Sequence, residues 1–233
     1  MEIIRDEEFR KGILEKIAQR EFSERTGVHG SDLIYCLNLQ ALRRLNPVAS
    51  TDEEVLTFSL GWSTQRWLTN KAEDEEGIEL DGITVTPDVV LDGCPWELKA
   101  TYMSSEKPII ENLHWLRQLM AQCKVTGATT AYLSRLGIMG DWKWVFKPKG
   151  FKDWDEEQKQ QFNSEHSHPI LDAHRIEFTQ GEVDQNWEWL KERKQLFETV
   201  VSTGVLLSRQ LCLPSGMEFL CGRCHYKPKE CYA

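Results

Sequence analysis

Apolar positions recur at helical spacing through the first part of the chain. Phe9, Ile13, Ile17 and Phe22, set in the charged stretch 5–25, predict a surface helix that Gly27 and Gly30 terminate. Ser31 caps a second predicted helix carrying Leu33, Ile34, Leu37, Leu42 and Leu45 up to Pro47. Thr51 and Glu54 have capping-box spacing ahead of a third, with Leu56, Leu60, Trp67 and Leu68. An acidic stretch from Glu73 to Glu76 reads as a solvated loop. The pattern then turns to β from Ile78 to Tyr102, with Pro87, Pro95 and an Asp92-Gly93 turn. Residues 108–126 are helical, 128–137 and 142–147 read as strands joined at Gly140-Asp141, and 150–169 is a polar surface insertion. A short strand from His174 to Phe178 precedes a long helix, Glu182 to Val201, that ends at Gly204. This order predicts one α/β domain over 1–233, with a helical part (1–72), a central core (78–204) and a cysteine-bearing tail (205–233).

The β segment carries the candidate chemistry. With Asp92 and Gly93 as the central residues of a two-residue turn, Asp88 falls opposite Glu97, and Lys99 shares the face of Glu97. Val89, Leu91, Trp96 and Leu98 collect on the other face, the expected core face. Opposed like charges destabilise a hairpin, so two carboxylates placed together suggest a divalent cation between them. The Leu98 carbonyl offers a further oxygen. A hard oxygen site of this kind suits Mg2+ or Mn2+. Such an ion can acidify a bound water and stabilise charge on a phosphate, while Lys99 positions the water or offsets the phosphate charge. Neither proline can donate to the ladder, and a bulge at either would shift the register.

Composition sets the limits. The chain has 233 residues, a formal net charge of -9 and 40% hydrophobic content, and is long enough for a core without staples. No stretch has the roughly 18 apolar residues of a membrane helix, and the N-terminus lacks a secretory pattern. The expectation is a cytoplasmic protein with no membrane partner. An acidic total excludes binding nucleic acid with the whole surface but leaves room for a local basic groove. Arg43 and Arg44, then Lys143, Lys147, Lys149 and Lys152, then Arg223, Lys227 and Lys229, form the local basic clusters. Trp142 and Trp144 would share one strand face, as core residues or as a base-stacking platform.

The seven cysteines are unevenly placed. Cys221, Cys224 and Cys231 crowd the end of the chain with metal-ligand spacing, and a fourth ligand is wanted. Cys36, Cys212 and His225 are the candidates, and spacing alone allows zinc or an iron–sulfur cluster. Cys94 and Cys123 lie in apolar patterns and read as small core residues.

Pro87-Asp88…Glu97-Leu98-Lys99 resembles the PD-(D/E)xK nuclease motif. With Cys36 before it and three cysteines after it, the layout resembles RecB-like exonucleases that hold an iron–sulfur cluster, and in particular the fourth CRISPR-associated nuclease family. The resemblance runs from about residue 28 to 233. It implies a restriction-endonuclease-like α/β core, a 4Fe-4S cluster on Cys36, Cys221, Cys224 and Cys231, and metal ligation by Asp88, Glu97 and the Leu98 carbonyl. Gln65 stands where the family has a histidine ligand, which implies weak or second-site metal binding. Gln118 opens the family's QxxxY motif as a catalytic residue, and Gln122 replaces its tyrosine. The implied activity is metal-dependent exonucleolytic cleavage of DNA ends or single strands in CRISPR spacer acquisition, beside a CRISPR integrase. A free-standing repair or phage recombination nuclease, or a mainly non-catalytic iron–sulfur DNA-binding subunit, would share these features.

Overall fold

The computed structural model describes residues 6–21, 26–70, 76–102 and 108–226. Phe22, most of the acidic loop, Lys227, Lys229 and Cys231 lie outside the described residues. Helix α1 (Glu7–Glu21) packs on α4 (Asp52–Thr69), where Arg10 pairs with Asp52 at 2.7 Å. Its buried residue is Leu14, while Phe9 is 70% exposed.

The single helix expected after Ser31 is two: α2 (Gly30–Ile34) and α3 (Leu37–Leu45). The caps are also different. The Asp32 carboxylate accepts from the His29 N–H at 3.0 Å, and Cys36 is the N-cap of α3. The break has a chemical cause. The buried Arg193 donates to the carbonyls of Leu33 at 2.5 Å and Tyr35 at 2.7 Å, and so takes acceptors that a continuous helix would need. The capping box at α4 forms as expected, with the Thr51 hydroxyl accepting from the Glu54 N–H and the Glu54 carboxylate accepting from the Thr51 N–H.

The β segment makes two hairpins. In β1 (Ile78–Leu80) and β2 (Ile83–Val85) the turn is Asp81-Gly82, and in β3 (Val89–Leu91) and β4 (Cys94–Thr101) it is Asp92-Gly93. All four turn residues have positive φ, from 50° to 80°, the requirement of a type I′ turn. Helix α5 (Leu113–Thr126) then crosses over to β5 (Thr130–Gly137), which pairs parallel with β4. After α6 (Trp142–Val145) and α7 (Glu156–His166), β6 (Ile170–Glu177) pairs antiparallel with β5. The main sheet has the order β3-β4-β5-β6, so the expected α/β class holds.

Residues 142–147 are not a strand. The Asp141 carboxylate accepts from the Trp144 N–H at 3.1 Å and starts the short helix α6, so Trp142 and Trp144 share no strand face. The polar insertion contains α7, capped by Asp155 and Gln158. Phe162 is buried on α7 among Phe151 and Trp154. The last strand is longer than the expected His174–Phe178. The long helix α8 (Gln180–Thr203) ends on Gly204 in the left-handed region, as expected. The short α9 (Arg209–Cys212) follows.

One core joins these parts. Leu33, Leu37, Ile83, Trp187, Leu190, Phe197, Leu213 and Tyr226 all belong to it. A smaller cluster of Leu119, Cys123, Ala131, Leu133 and Val183 lies between α5, β5 and α8. Cys123 is buried as expected and Cys94 is half-buried. Leu91, expected on the core face, is 45% exposed, because β3 is the sheet edge at its turn end.

Candidate active site

The hairpin register is the one the turn dictates: Leu91 opposes Cys94, Val90 opposes Pro95 and Val89 opposes Trp96. Continued by one position, it brings Asp88 opposite Glu97, just beyond the last ladder pair. Asp88 has left the strand. Its carboxylate accepts from the Leu98 N–H at 2.7 Å. In an extended strand the N–H and C=O of one residue point to the same side, so the Leu98 carbonyl also faces the Asp88 side. Pro87, next along the register, has no N–H to offer that carbonyl. The Pro-Asp dipeptide thus leaves a carboxylate and a main-chain oxygen together at the end of the short strand.

Glu97 is 2% exposed and heavily bonded. One carboxylate oxygen accepts from the Lys99 ammonium at 2.5 Å and the Gln118 amide at 2.8 Å. The other accepts from the Gln122 amide at 2.5 Å. Gln118 also accepts from Lys99 at 2.8 Å, which closes a triangle. Burial alone would lower the Lys99 pKa, but the Glu97 charge, with smaller contributions from Tyr35 and Asp88, raises it overall. Lys99 is therefore a fixed cation.

Three site residues come from one stripe of α5. His114, Gln118 and Gln122 follow each other at intervals of four, the spacing of one helix face. His114 is missing from the sequence-based expectations, because the i, i+4 spacing alone does not tell an inward stripe from a solvated one. Burial first, and the Lys99 charge second, lower its pKa to about 4, so it is neutral near pH 7. It sits among Tyr35, Trp115 and Phe219. Beside it a cavity of about 300 Å³ is lined by Arg117, Trp189, Arg193 and the 213–217 segment. Arg117 stacks over Trp189 at 3.7 Å. On the sheet, Arg135 pairs across from Lys99 and is 8% exposed, held by Asp172 at 2.6 Å.

Part of the sequence-named basic clusters is engaged elsewhere. Arg43 and Arg44 pair with Glu54 and Asp32, and Lys147 stands over the Trp144 ring. Among the described residues, Arg135 pairs beside Lys99 on the sheet, and Arg117 and Arg193 line the cavity beside His114. Gln65 lies half-buried on α4, which packs against β4. No described hydrogen bond joins its side chain to Asp88 or Glu97. Among the described residues, no three His, Cys, Asp or Glu side chains stand close enough to hold one ion by themselves. Side-chain carboxylates thus supply only part of a cation's shell here.

Two cysteines also meet in the core. Cys36 and Cys212 have sulfurs 3.9 Å apart, and Cys221 and Cys224 pack on the same core. The hydrogen bond with Cys212 is the largest influence on Cys36. Against the opposing effect of burial, it combines with the N–H groups at the start of α3 and the Arg193 charge to lower the Cys36 pKa to about 6. Arg193 clamps both segments, since it also donates to the Leu211 carbonyl at 3.3 Å and the Cys212 carbonyl at 3.1 Å. His225, another candidate ligand, instead bonds Glu54 at 2.9 Å.

No protein-family model and no curated protein matches the sequence. Among solved structures, the chain is similar to SSO0001, with 14% identity and a TM-score of 0.49 over 81% of this chain and 86% of that one. It is similar to a phage-related exonuclease from Haemophilus somnus, with 9% identity and a TM-score of 0.47 over 78% and 98%. It is also similar to an alkaline exonuclease from Laribacter hongkongensis, with 12% identity and a TM-score of 0.42 over 81% and 94%.

Proposed function

We propose that this chain is a divalent-metal-dependent deoxyribonuclease of the PD-(D/E)xK type, acting on DNA ends or single strands. The observation that carries the reading is the β3–β4 hairpin. It sets Asp88 and the Leu98 carbonyl at one strand end, with Glu97 and the Lys99 cation one residue to either side. The donor set fits a hard cation. Glu97 has about four lone-pair sites, of which the described donors use three. Asp88, Glu97 and Leu98 would hold Mn2+ or Mg2+, and Gln65 would serve a weaker second site. When bound, such an ion supplies Lewis acidity to phosphate oxygens and acidifies a water.

The remaining work falls to this chain's own groups. Lys99 stays protonated and donates to a phosphate oxygen or orients the attacking water. Gln118, bonded to both Lys99 and Glu97, keeps the two at fixed separation. His114 is neutral, so it can accept a hydrogen bond at one ring nitrogen and donate one from the other without adding a charge beside Lys99. The cationic groups around the site give an acidic protein a local attraction for a phosphate backbone.

Cys36, Cys221, Cys224 and Cys231 are proposed to hold a 4Fe-4S cluster. The ligand spacing of Cys221 and Cys224 and their packing on the core that contains Cys36 support this, and the cluster's contribution would be structural. The proposed setting, DNA trimming beside a CRISPR integrase, rests on the cysteine layout alone and is tested by co-purification with such an integrase.

Single-turnover cleavage of end-labelled single- and double-stranded DNA tests the enzyme reading. Asp88→Ala and Lys99→Ala should each lower the rate by at least about a hundredfold, with circular dichroism unchanged. Wild-type rates in either would contradict it.

A further inference from the structure

Gln122 is fully buried, and both ends of its amide matter. Its Nε2 donates to the Glu97 carboxylate at 2.5 Å and, at 3.5 Å, to the Thr86 carbonyl. With two acceptors around that nitrogen, chemistry fixes the amide orientation, because the flipped form would set oxygen against oxygen. The Oε1 atom is then left buried with no protein donor. Buried acceptors are ordinarily satisfied, and an orphan beside a charged site needs a reason. A hard cation, or a water bound to one, is the species that seeks such an oxygen.

Gln118 and Gln122 lie one helical turn apart and grip opposite oxygens of the same carboxylate. A carboxylate held by a single donor can rotate about its last bond. One held at both oxygens by two side chains of a rigid helix cannot. The hydrogen bond from Gln122 is also charge-assisted, the stronger kind.

We propose that Gln122 is a positioning residue for the divalent cation. Its amide N–H fixes the Glu97 carboxylate plane, and its Oε1 accepts from the cation's water. This inference rests on the nuclease reading of Asp88, Glu97 and Lys99 and adds a residue to it.

Calorimetric titration of the full-length protein with Mn2+, in the absence of DNA, tests the inference. Gln122→Ala should weaken Mn2+ binding by about tenfold or more, the worth of one charge-assisted hydrogen bond. Gln122→Met, which keeps the length and loses the amide, should do the same and guards against a folding failure. Cleavage by both variants should need correspondingly more Mn2+ and recover much of its rate at saturating Mn2+. A lowered Tm with wild-type Mn2+ affinity would reduce Gln122 to a packing residue and overturn the proposal. Absence of Mn2+ binding to the wild-type chain would instead overturn the nuclease reading, and this inference with it.

Discussion

His114 shows how strongly a single environment can set a residue's chemistry. Its folded pKa of about 4 lies below its ordinary value of 6.5. Between those values the unfolded chain binds a proton that the folded chain refuses. Stability is therefore complete above pH 6.5 and falls as the pH drops toward 4, by about 2 kcal/mol after allowance for partial exposure. His114→Gln should remove that component. Urea midpoints at pH 7.5 and 4.5 measure it, and an unchanged pH difference in the variant would refute it. The carboxylates and Lys99 were legible in the sequence because a two-residue turn fixes what lies opposite what. His114 was not. Its stripe on α5 looks like the polar face of a surface helix until β4 covers it, and only packing shows that the face is turned inward.

At the scale of elements, the β3–β4 hairpin is the device that assembles the site. Asp92 and Gly93 adopt positive φ, at 50° and 80°. A Cβ on Gly93 would meet nothing, so Gly93→Ala isolates the backbone cost, about 1 kcal/mol. Thermal melting should show that loss, while cleavage falls only modestly because the register survives. Gly93→Pro, with the wrong φ, should abolish both. The same local reasoning fails at 142–147. The Trp142-Lys143-Trp144 alternation suggested a strand, but it breaks at Val145-Phe146, and the Asp141 carboxylate caps a helix there instead. It also fails after Ser31, where Arg193, distant in sequence, takes the carbonyls that would have continued the helix.

Across the whole molecule, Arg193 ties the two ends of the chain. One guanidinium holds the Leu33 and Tyr35 carbonyls just before Cys36 and the carbonyls of Leu211 and Cys212. Burial lowers its pKa to about 10, so it remains charged. Arg193→Leu strands four carbonyls and should cost about 3 kcal/mol or more, read as a fall in the denaturant midpoint. With the proposed cluster in place, it should also lower the iron content of purified protein, because the segment that carries Cys36 and the one that leads on to Cys221 and Cys224 would no longer be held together. Wild-type metal content in that variant would remove the link. The acidic net charge of -9 does not preclude cations beside the site, where Lys99 and Arg135 each pair with a carboxylate and Arg117 stacks on Trp189. The basic residues that matter here, Arg117, Arg135 and Arg193, are scattered in sequence, so charge clustering along the chain could not find them.

The most direct measurement of the central claim is digestion of end-labelled DNA by the wild-type chain and by Glu97→Ala, each with Mn2+, with Mg2+ and with chelator. The account predicts cleavage by the wild type that needs the cation and is lost in Glu97→Ala. Cleavage that persists in chelator, or that survives in Glu97→Ala, would contradict it.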